Sequence, residues 1–532
     1  MYSDLVMKCI SLFGNFFLNN LGTGVVRTTS PRDDKRMIKI FNTLFLLLIS
    51  NLLTLSNLKS QDNLESIIDQ KKRIEFEIDF LNRNNYLSVS KNHIFLLREN
   101  ESEKDLKWNI KLLDYNFKSI NDTTISLDRS YFINKIDEYK GDFHLFFKRN
   151  YSNDKKYLII KYSSQKGNII YQEMNFPLSL EVKKVLYFKN YFVFLSKTNN
   201  SKNLISIYNI DNNQLNNIYE FMNYDKNVLK INKINSSTFG VIVSEDNSNG
   251  LKVISRSIYD LNGNSRDKIR IENKDFSVIE TRFLENKYAI SILSNKRSRE
   301  SVGVQYNKLD NNMAVSQKVH LFENLNSITT LTNYKKTKRS KFRIGELFYI
   351  DSLSIYNNKI LLTIESLKSD DNNDSFSNYQ YIPFYNTYSG TYDRKINPRF
   401  GGYLHNYFMI LSFNYNGEIE RSIAKKIDHL QTFDKKIYVK YIFGNDYHLS
   451  SYVNKGKIFI SKHFNKIAAE DKEYTYDIET FDNETTIKTE TNPEGTFHLS
   501  NKVFITYGIQ NIKKINNERK RVFFINKIEI ID

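Results

Sequence analysis

Cysteine is all but missing from this chain of 532 residues: Cys9 stands alone, upstream of the segment read below as the mature protein. A single thiol at that place excludes disulfides, thiolate metal sites and a cysteine nucleophile from the mature chain. Proline and glycine are scarce, at 5 and 18, so turns fall largely to asparagine and aspartate. The eight histidines, His93, His144, His320, His405, His429, His448, His463 and His498, form no HExxH or other zinc spacing. There is no Gly-x-Ser-x-Gly elbow and no P-loop. His93 and His144 recur at matching places in a repeat, which reads as packing.

What is present points to a large folded core. The chain is 40% hydrophobic and 14% aromatic, which excludes broad disorder. Its formal charge of +17 favours anionic partners, and the general abundance of Asn, Lys, Ile, Tyr and Phe fits a compositional bias as well.

Residues 37–61, "MIKIFNTLFLLLISNLLTLSNLKSQ", have the basic start, apolar centre and small residues of a secretory signal peptide. Met37 is then the start, and residues 1–36 are a mis-assigned upstream stretch or a cytoplasmic stub. The alternative is a signal anchor over Ile38–Leu55, with membrane attachment only if that segment stays uncleaved. Either way residues 62–532 are exported, to the periplasm, the cell surface or the medium.

A polar corner followed by an apolar run recurs at Asn92, Gly141, Asn190, Thr238, Asn286, Asn358, Gly456 and Asn501, at intervals of 49, 49, 48, 48, 72, 98 and 45 residues. A period near 48 is the size of a four-stranded propeller blade. A second landmark in phase is an Asp/Asn/Gly turn at 166–168, 211–213, 262–264, 310–312, 416–417 and 482–483. The last repeat stops at "RVFFINKIEIID" (Arg521–Asp532), one strand short. Near the mature N-terminus "RIEFEIDF" (Arg73–Phe80) alternates apolar and charged residues and has no repeat of its own. Pairing it into the last blade closes a ring and covers an edge.

These repeats resemble β-propeller proteins as an architecture, over roughly residues 73–532. The implied fold is all-β, with eight four-stranded blades and seven as the alternative. Trp-Asp endings, double-glycine kelch signatures and sialidase boxes are absent, so no named propeller family is matched. Continuous apolar runs such as "YFVFL" argue against an outer-membrane barrel, whose strands alternate.

Three stretches break the rhythm: 324–345, 366–402 and 428–447. In an up-and-down blade, second-to-third loops and blade-to-blade links leave on one face, so all three insertions share a face near the sixth blade. The first carries Lys335, Lys336, Lys338, Arg339, Lys341 and Arg343; the second carries Tyr379, Tyr381, Tyr385 and Tyr388. These ten residues are the candidate binding site, with cations steering and tyrosines making contact. No cofactor is expected; Asp370, Asn372 and Asp374 have the alternating oxygens of a calcium loop but lack its glycine and closing glutamate.

The reading is an exported binding or scaffold propeller for a protein or an anionic polysaccharide, with nucleic acid disfavoured. The alternatives are a glycan-active hydrolase with a central-channel site and a structural component of an envelope assembly.

Overall fold

The computed structural model describes residues 67–531, apart from 79–84, 91, 102–105, 129, 140, 150–155, 176–180, 199–201, 223–225, 297–299, 311–312, 333–343, 370–380, 387–390, 397–401, 433–435, 466–470, 491–495 and 501. The proposed leader and upstream stretch, residues 1–61, lie outside these.

The strands fall into eight separate four-stranded sheets rather than one continuous barrel, and together they make a propeller. In sequence order, blade one holds Asn85–Val89, Ile94–Glu101, Leu106–Leu113 and Ser119–Leu127. Blade two holds Tyr131–Tyr139, Asp142–Arg149, Lys156–Ser163 and Ile169–Asn175; blade three holds Glu181–Phe188, Tyr191–Lys197, Asn203–Asn209 and Gln214–Ile218. Blade four holds Asn227–Lys233, Thr238–Asp246, Lys252–Asp260 and Ser265–Ile271; blade five holds Ser277–Leu284, Tyr288–Ser294, Ser301–Asp310 and Met313–Leu321. Blade six holds Leu347–Tyr356, Lys359–Ser369, Tyr403–Phe413 and Ile419–Thr432; blade seven holds Lys440–Phe443, Tyr447–Asn454, Lys457–Phe464 and Lys472–Asp477. The first strand of each blade is innermost, and inner strands touch between blades one and two, three and four, five and six, and seven and eight.

Burial explains the continuous apolar runs. In Tyr191–Lys197 every residue from Phe192 to Ser196 is buried, because a middle strand is covered on both faces by adjacent blades. Phe95 and Trp108 of blade one meet Phe143 and Phe147 of blade two, with Phe95 and Phe143 stacked at 4.3 Å. Outer strands read differently: Ser265–Ile271 shows four exposed residues before its two buried isoleucines.

Three turns between third and fourth strands share a mechanism. Asp114, Asp260 and Asn414 each accept, through Oδ1, the backbone N–H groups two and four residues on. Gly417 completes one such turn at φ +82°, and a Cβ there would lie 2.3 Å from the Tyr306 ring of blade five. Only glycine meets both demands.

Blade eight closes the ring. Its inner strand is interrupted, as Glu484–Glu490 and Thr496–Ser500, and both pieces pair with Val503–Lys514. Arg519–Ile530 follows, and the outer strand is the N-terminal Ile68–Glu77, in antiparallel register from Ile68 opposite Ile530 to Glu77 opposite Val522. The expected closure by the Arg73 segment is thus present, beginning five residues earlier. Ile74, Phe76 and Ile78 pack against Leu87, Ile94 and Leu96 of blade one.

On the opposite face of this closing strand Arg73 and Glu75 are not solvated, whereas Glu77 is exposed. Arg73 and Glu75 side chains are 4% and 7% exposed, 2.6 Å apart. Lys520 binds Glu75 at 2.8 Å and Glu484 at 2.6 Å. Arg73 also donates to Gln510 Oε1 at 2.5 Å, to Asn526 Oδ1 at 2.9 Å and to the Glu479 carbonyl at 2.8 Å.

Blade seven departs from the expected phase. Its first turn is 444–446, not Gly456, which joins the second and third strands. Asp482 therefore lies in the link into blade eight, on the insertion face rather than opposite it. The stretch 428–447 is not one insertion: Ile419–Thr432 is a long outer strand and Lys440–Phe443 an inner one, leaving a link of 433–439. The outer strand runs long because Leu430, Gln431 and Thr432 pair with His405, Leu404 and Tyr403.

Candidate functional site

Blade six carries the largest elaboration of the ring. Its second and third strands run past the sheet body, with Lys368 opposite Leu404 and Ser369 opposite Tyr403, and the residues between them include a hairpin of Tyr381–Asn386 and Thr391–Ile396. Tyr381 and Tyr385 lie in its first strand, opposite Ile396 and Tyr392. Tyr379, Tyr388, the six cations Lys335, Lys336, Lys338, Arg339, Lys341 and Arg343, and Asp370, Asn372 and Asp374 lie outside the described residues. Among the described residues no cluster of three or more His, Cys, Asp or Glu is placed to hold a metal ion.

The roots of the three irregular stretches converge. Glu365 and His405 sit on the second and third strands, 0% and 1% exposed. Glu365 Oε1 pairs with His405 Nδ1, and His405 Nε2 lies 2.9 Å from Thr432 Oγ1 on the outer strand. The other carboxylate oxygen accepts the backbone N–H groups of Tyr438 at 3.1 Å and Val439 at 3.0 Å. One buried carboxylate thus fastens the hairpin's base to the link that enters blade seven. On the other side Asn406 donates to Glu346 at 2.6 Å, which ends the link from blade five. The Glu346 backbone in turn holds Ser301 of blade five at 2.9 Å.

Burial sets the electrostatics of this root. Desolvation raises the Glu346 carboxyl, against the hydrogen bond from Asn406 and the pull of Lys368. It also raises Asp351 on the inner strand, where Lys440 pulls down and Glu365 pushes up. Tyr441 is driven well above the ordinary phenol range by burial, then by Glu365 and Asp351, and stays a neutral phenol.

A second relay lies on blade seven. Ser450 Oγ is 3.0 Å from His463 Nε2, and His463 Nδ1 is 2.7 Å from Asp471 Oδ2. With Nδ1 protonated, both histidines donate to a carboxylate and accept a hydroxyl proton, the connectivity of acyl-transfer triads. The hydroxyls are not open to substrate: Thr432 and Ser450 are each 2% exposed. The work of these relays is cross-strand fastening. Sequence reading missed both, since their members sit on strands that only register brings side by side.

His144, read as packing, is packing. Its ring lies 3.9 Å from that of Tyr187, neither nitrogen has a partner among the described residues, and burial lowers it to about 4.

Second-to-third loops elsewhere in the ring also carry clustered cations, at 295–301 and 511–521, and these are partly engaged. In the blade-eight loop Lys514 pairs with Glu518 at 3.0 Å, and Lys520 is drawn into the closing network instead of the surface. Lys296 reaches the Asn249 carbonyl of the neighbouring loop.

No family model matches this chain, and no curated protein matches it. Among solved structures it is similar to the WD40 domain of SCAP from fission yeast, at 8% identity and TM-score 0.39, over 87% of this chain and 98% of that one. It is also similar to the β-propeller domain of the Trilobed protease from Pyrococcus furiosus, at 8% identity and TM-score 0.32, over 75% and 97%. Polysaccharide lyase Uly1 is similar at 10% identity and TM-score 0.36, over 75% and 89%.

Proposed function

We propose that the chain is an exported binding propeller that engages its partner, a protein or an anionic polysaccharide, through the insertion face of blade six. The observation that supports this is the Glu365–His405–Thr432 root, which ties the hairpin's base to the link at Tyr438 and Val439. Long loops in compact domains are often functional, and a loop on a rigid base presents contacts at low entropic cost. Lys335–Arg343 supplies attraction, and the tyrosines at 379, 381, 385 and 388 supply flat amphipathic contact. The hydrolase alternative draws no support from either relay, because both hydroxyls are buried.

The test is charge reversal. Changing Lys335, Lys336, Lys338, Arg339, Lys341 and Arg343 to Glu weakens capture by heparin-type polysaccharide or by the isolated protein partner at low salt, far more than reversing six lysines elsewhere. Equal losses from both sets would remove the reading. N-terminal sequencing of the secreted chain tests export, with a start between Thr54 and Asp62 expected.

A further inference from the structure

The inner strands share a device that the repeat landmarks do not show. In six blades the pairing of first and second strands slips by one residue toward the same end: after Ile133, Val182, Val228, Val278, Ile350 and Thr486. A bulge re-aims the side chains next to it. Here it is followed by Lys135, Lys184, Lys230, Glu280, Ser352 and Lys488.

Burial, then Lys135 of blade two and Arg282 of blade five, lower Lys184 of blade three to about 8, against the pull of Asp137. Blade four stands between the third and the fifth, so Lys184 and Arg282, both on first strands, act on each other across the centre of the ring. Several other charges around this channel are matched. Lys135 pairs with Asp137. Arg282 Nη2 is 3.4 Å from Glu280 and donates to the Ile350 carbonyl at 2.8 Å. Glu280 in turn accepts the Ile350 N–H at 2.9 Å. Burial raises the Asp351 carboxyl against the pull of Lys440, and Asp351 accepts from Thr363 at 3.3 Å.

Lys184 is left over. It is half-buried, and among the described residues it makes no hydrogen bond and no ion pair. Arg282 Nε is buried and likewise has no acceptor among them. A partly desolvated ammonium beside two further cations, with an orphan guanidinium N–H near it, is costly unless an acceptor arrives. We propose that the central channel binds an oxyanion, the carboxylate or phosphate group of a small ligand, between Lys184 and Arg282, with Lys135 at its flank. This stands independently of the insertion-face reading.

Thermal unfolding of the full chain tests it, with inorganic phosphate, acetate or chloride added at matched ionic strength. A rise in Tm with phosphate or acetate beyond that with chloride is expected, and which of the two is stronger names the ligand group. Lys184→Met abolishes this rise, yet by itself raises Tm, because it removes an unpaired half-buried charge. Arg282→Gln reduces the rise, and Lys252→Gln, at an exposed outer position, leaves it intact. An equal rise with chloride, or an undiminished rise in Lys184→Met, would overturn the proposal. Should Arg282→Gln fail to fold, the Lys184→Met comparison decides alone.

Discussion

Lys520 Nζ lies 2.8 Å from Glu75 Oε2, an ion pair between residues 445 positions apart. It joins the outermost strand of blade eight to its neighbour and, through Glu484, to the inner strand of the same blade. The N-terminal strand is therefore held by charge on one face and by Ile74, Phe76 and Ile78 on the other. Replacing Lys520 with Met leaves the buried Glu484 carboxylate without its cation and Glu75 with Arg73 alone, and is expected to cost about 3–5 kcal/mol. Double replacement with Glu75→Gln recovers part of that loss. Urea unfolding of the single and double variants measures both. Deleting residues 62–82 goes further, opening the sheet edge and driving aggregation, visible by light scattering.

Acid acts through two histidines. Burial lowers His144 to about 4, helped by Lys161 and opposed by Asp142. Burial likewise lowers His448 to about 4, with Arg421, His463 and Lys359 adding to it. In the unfolded chain each titrates near its ordinary value of about 6.5, so between these limits the unfolded state binds more protons. The stability they allow is whole above about pH 6.5 and falls as pH drops toward 4, by about 3 kcal/mol for each group. Melting curves across this range give the slope, and His144→Phe halves it. A slope unchanged in that variant would show that other groups govern the acid limb.

The two relays yield a contrast between stability and reactivity. Thr432→Val and Ser450→Ala each remove one buried hydrogen bond and are expected to cost about 1–2 kcal/mol. Glu365→Ala costs more, about 3 kcal/mol or above, because it frees His405 and the N–H groups of Tyr438 and Val439 together. A fluorophosphonate probe leaves Ser450 and Thr432 unmodified in the folded chain, as mass spectrometry of the treated protein will show. Labelling at either hydroxyl would reopen the hydrolase alternative.

The fold was largely legible because blades repeat a turn chemistry. Asn286 and Asn358 sit at positive φ in the short corners after inner strands, and asparagine and glycine tolerate that backbone. The same chemistry misled at blade seven. Lys455 and Gly456 at φ 48° and 81° make the same kind of tight turn as Asn357 and Asn358 at 49° and 59°, but between the second and third strands. Turn residues report a hairpin, not its rank within a blade. A four-residue inner strand, Lys440–Phe443, gave too little apolar run to restore the count.

The site was less legible, for a different reason. In "RIEFEIDF" the alternation separates a charged face from an apolar one, yet the Glu75 side chain is buried because Lys520 and Arg73 neutralise it in space. Alternation reports polarity and says nothing of partners hundreds of residues away. Glu365 and His405 are separated in sequence by the whole blade-six insertion, so no spacing announces them. The channel cations are visible as lysines, but only the repeated bulge gives them one destination.

The order of strands has a consequence for how this protein is made. Ile68–Glu77 leaves the ribosome before any blade, and its partner Arg519–Ile530 leaves after all the others. Lys520 follows Glu75 by 445 residues, a wait of roughly 20–90 s at roughly 5–20 residues per second. Throughout that interval the first strand is an uncommitted β segment. Any chain released early lacks the surface that would accept it. The latch thus works as a proofreading step: only a translation product that reaches Arg519–Ile530 can hide its own beginning, and every shorter one displays it to chaperones and proteases.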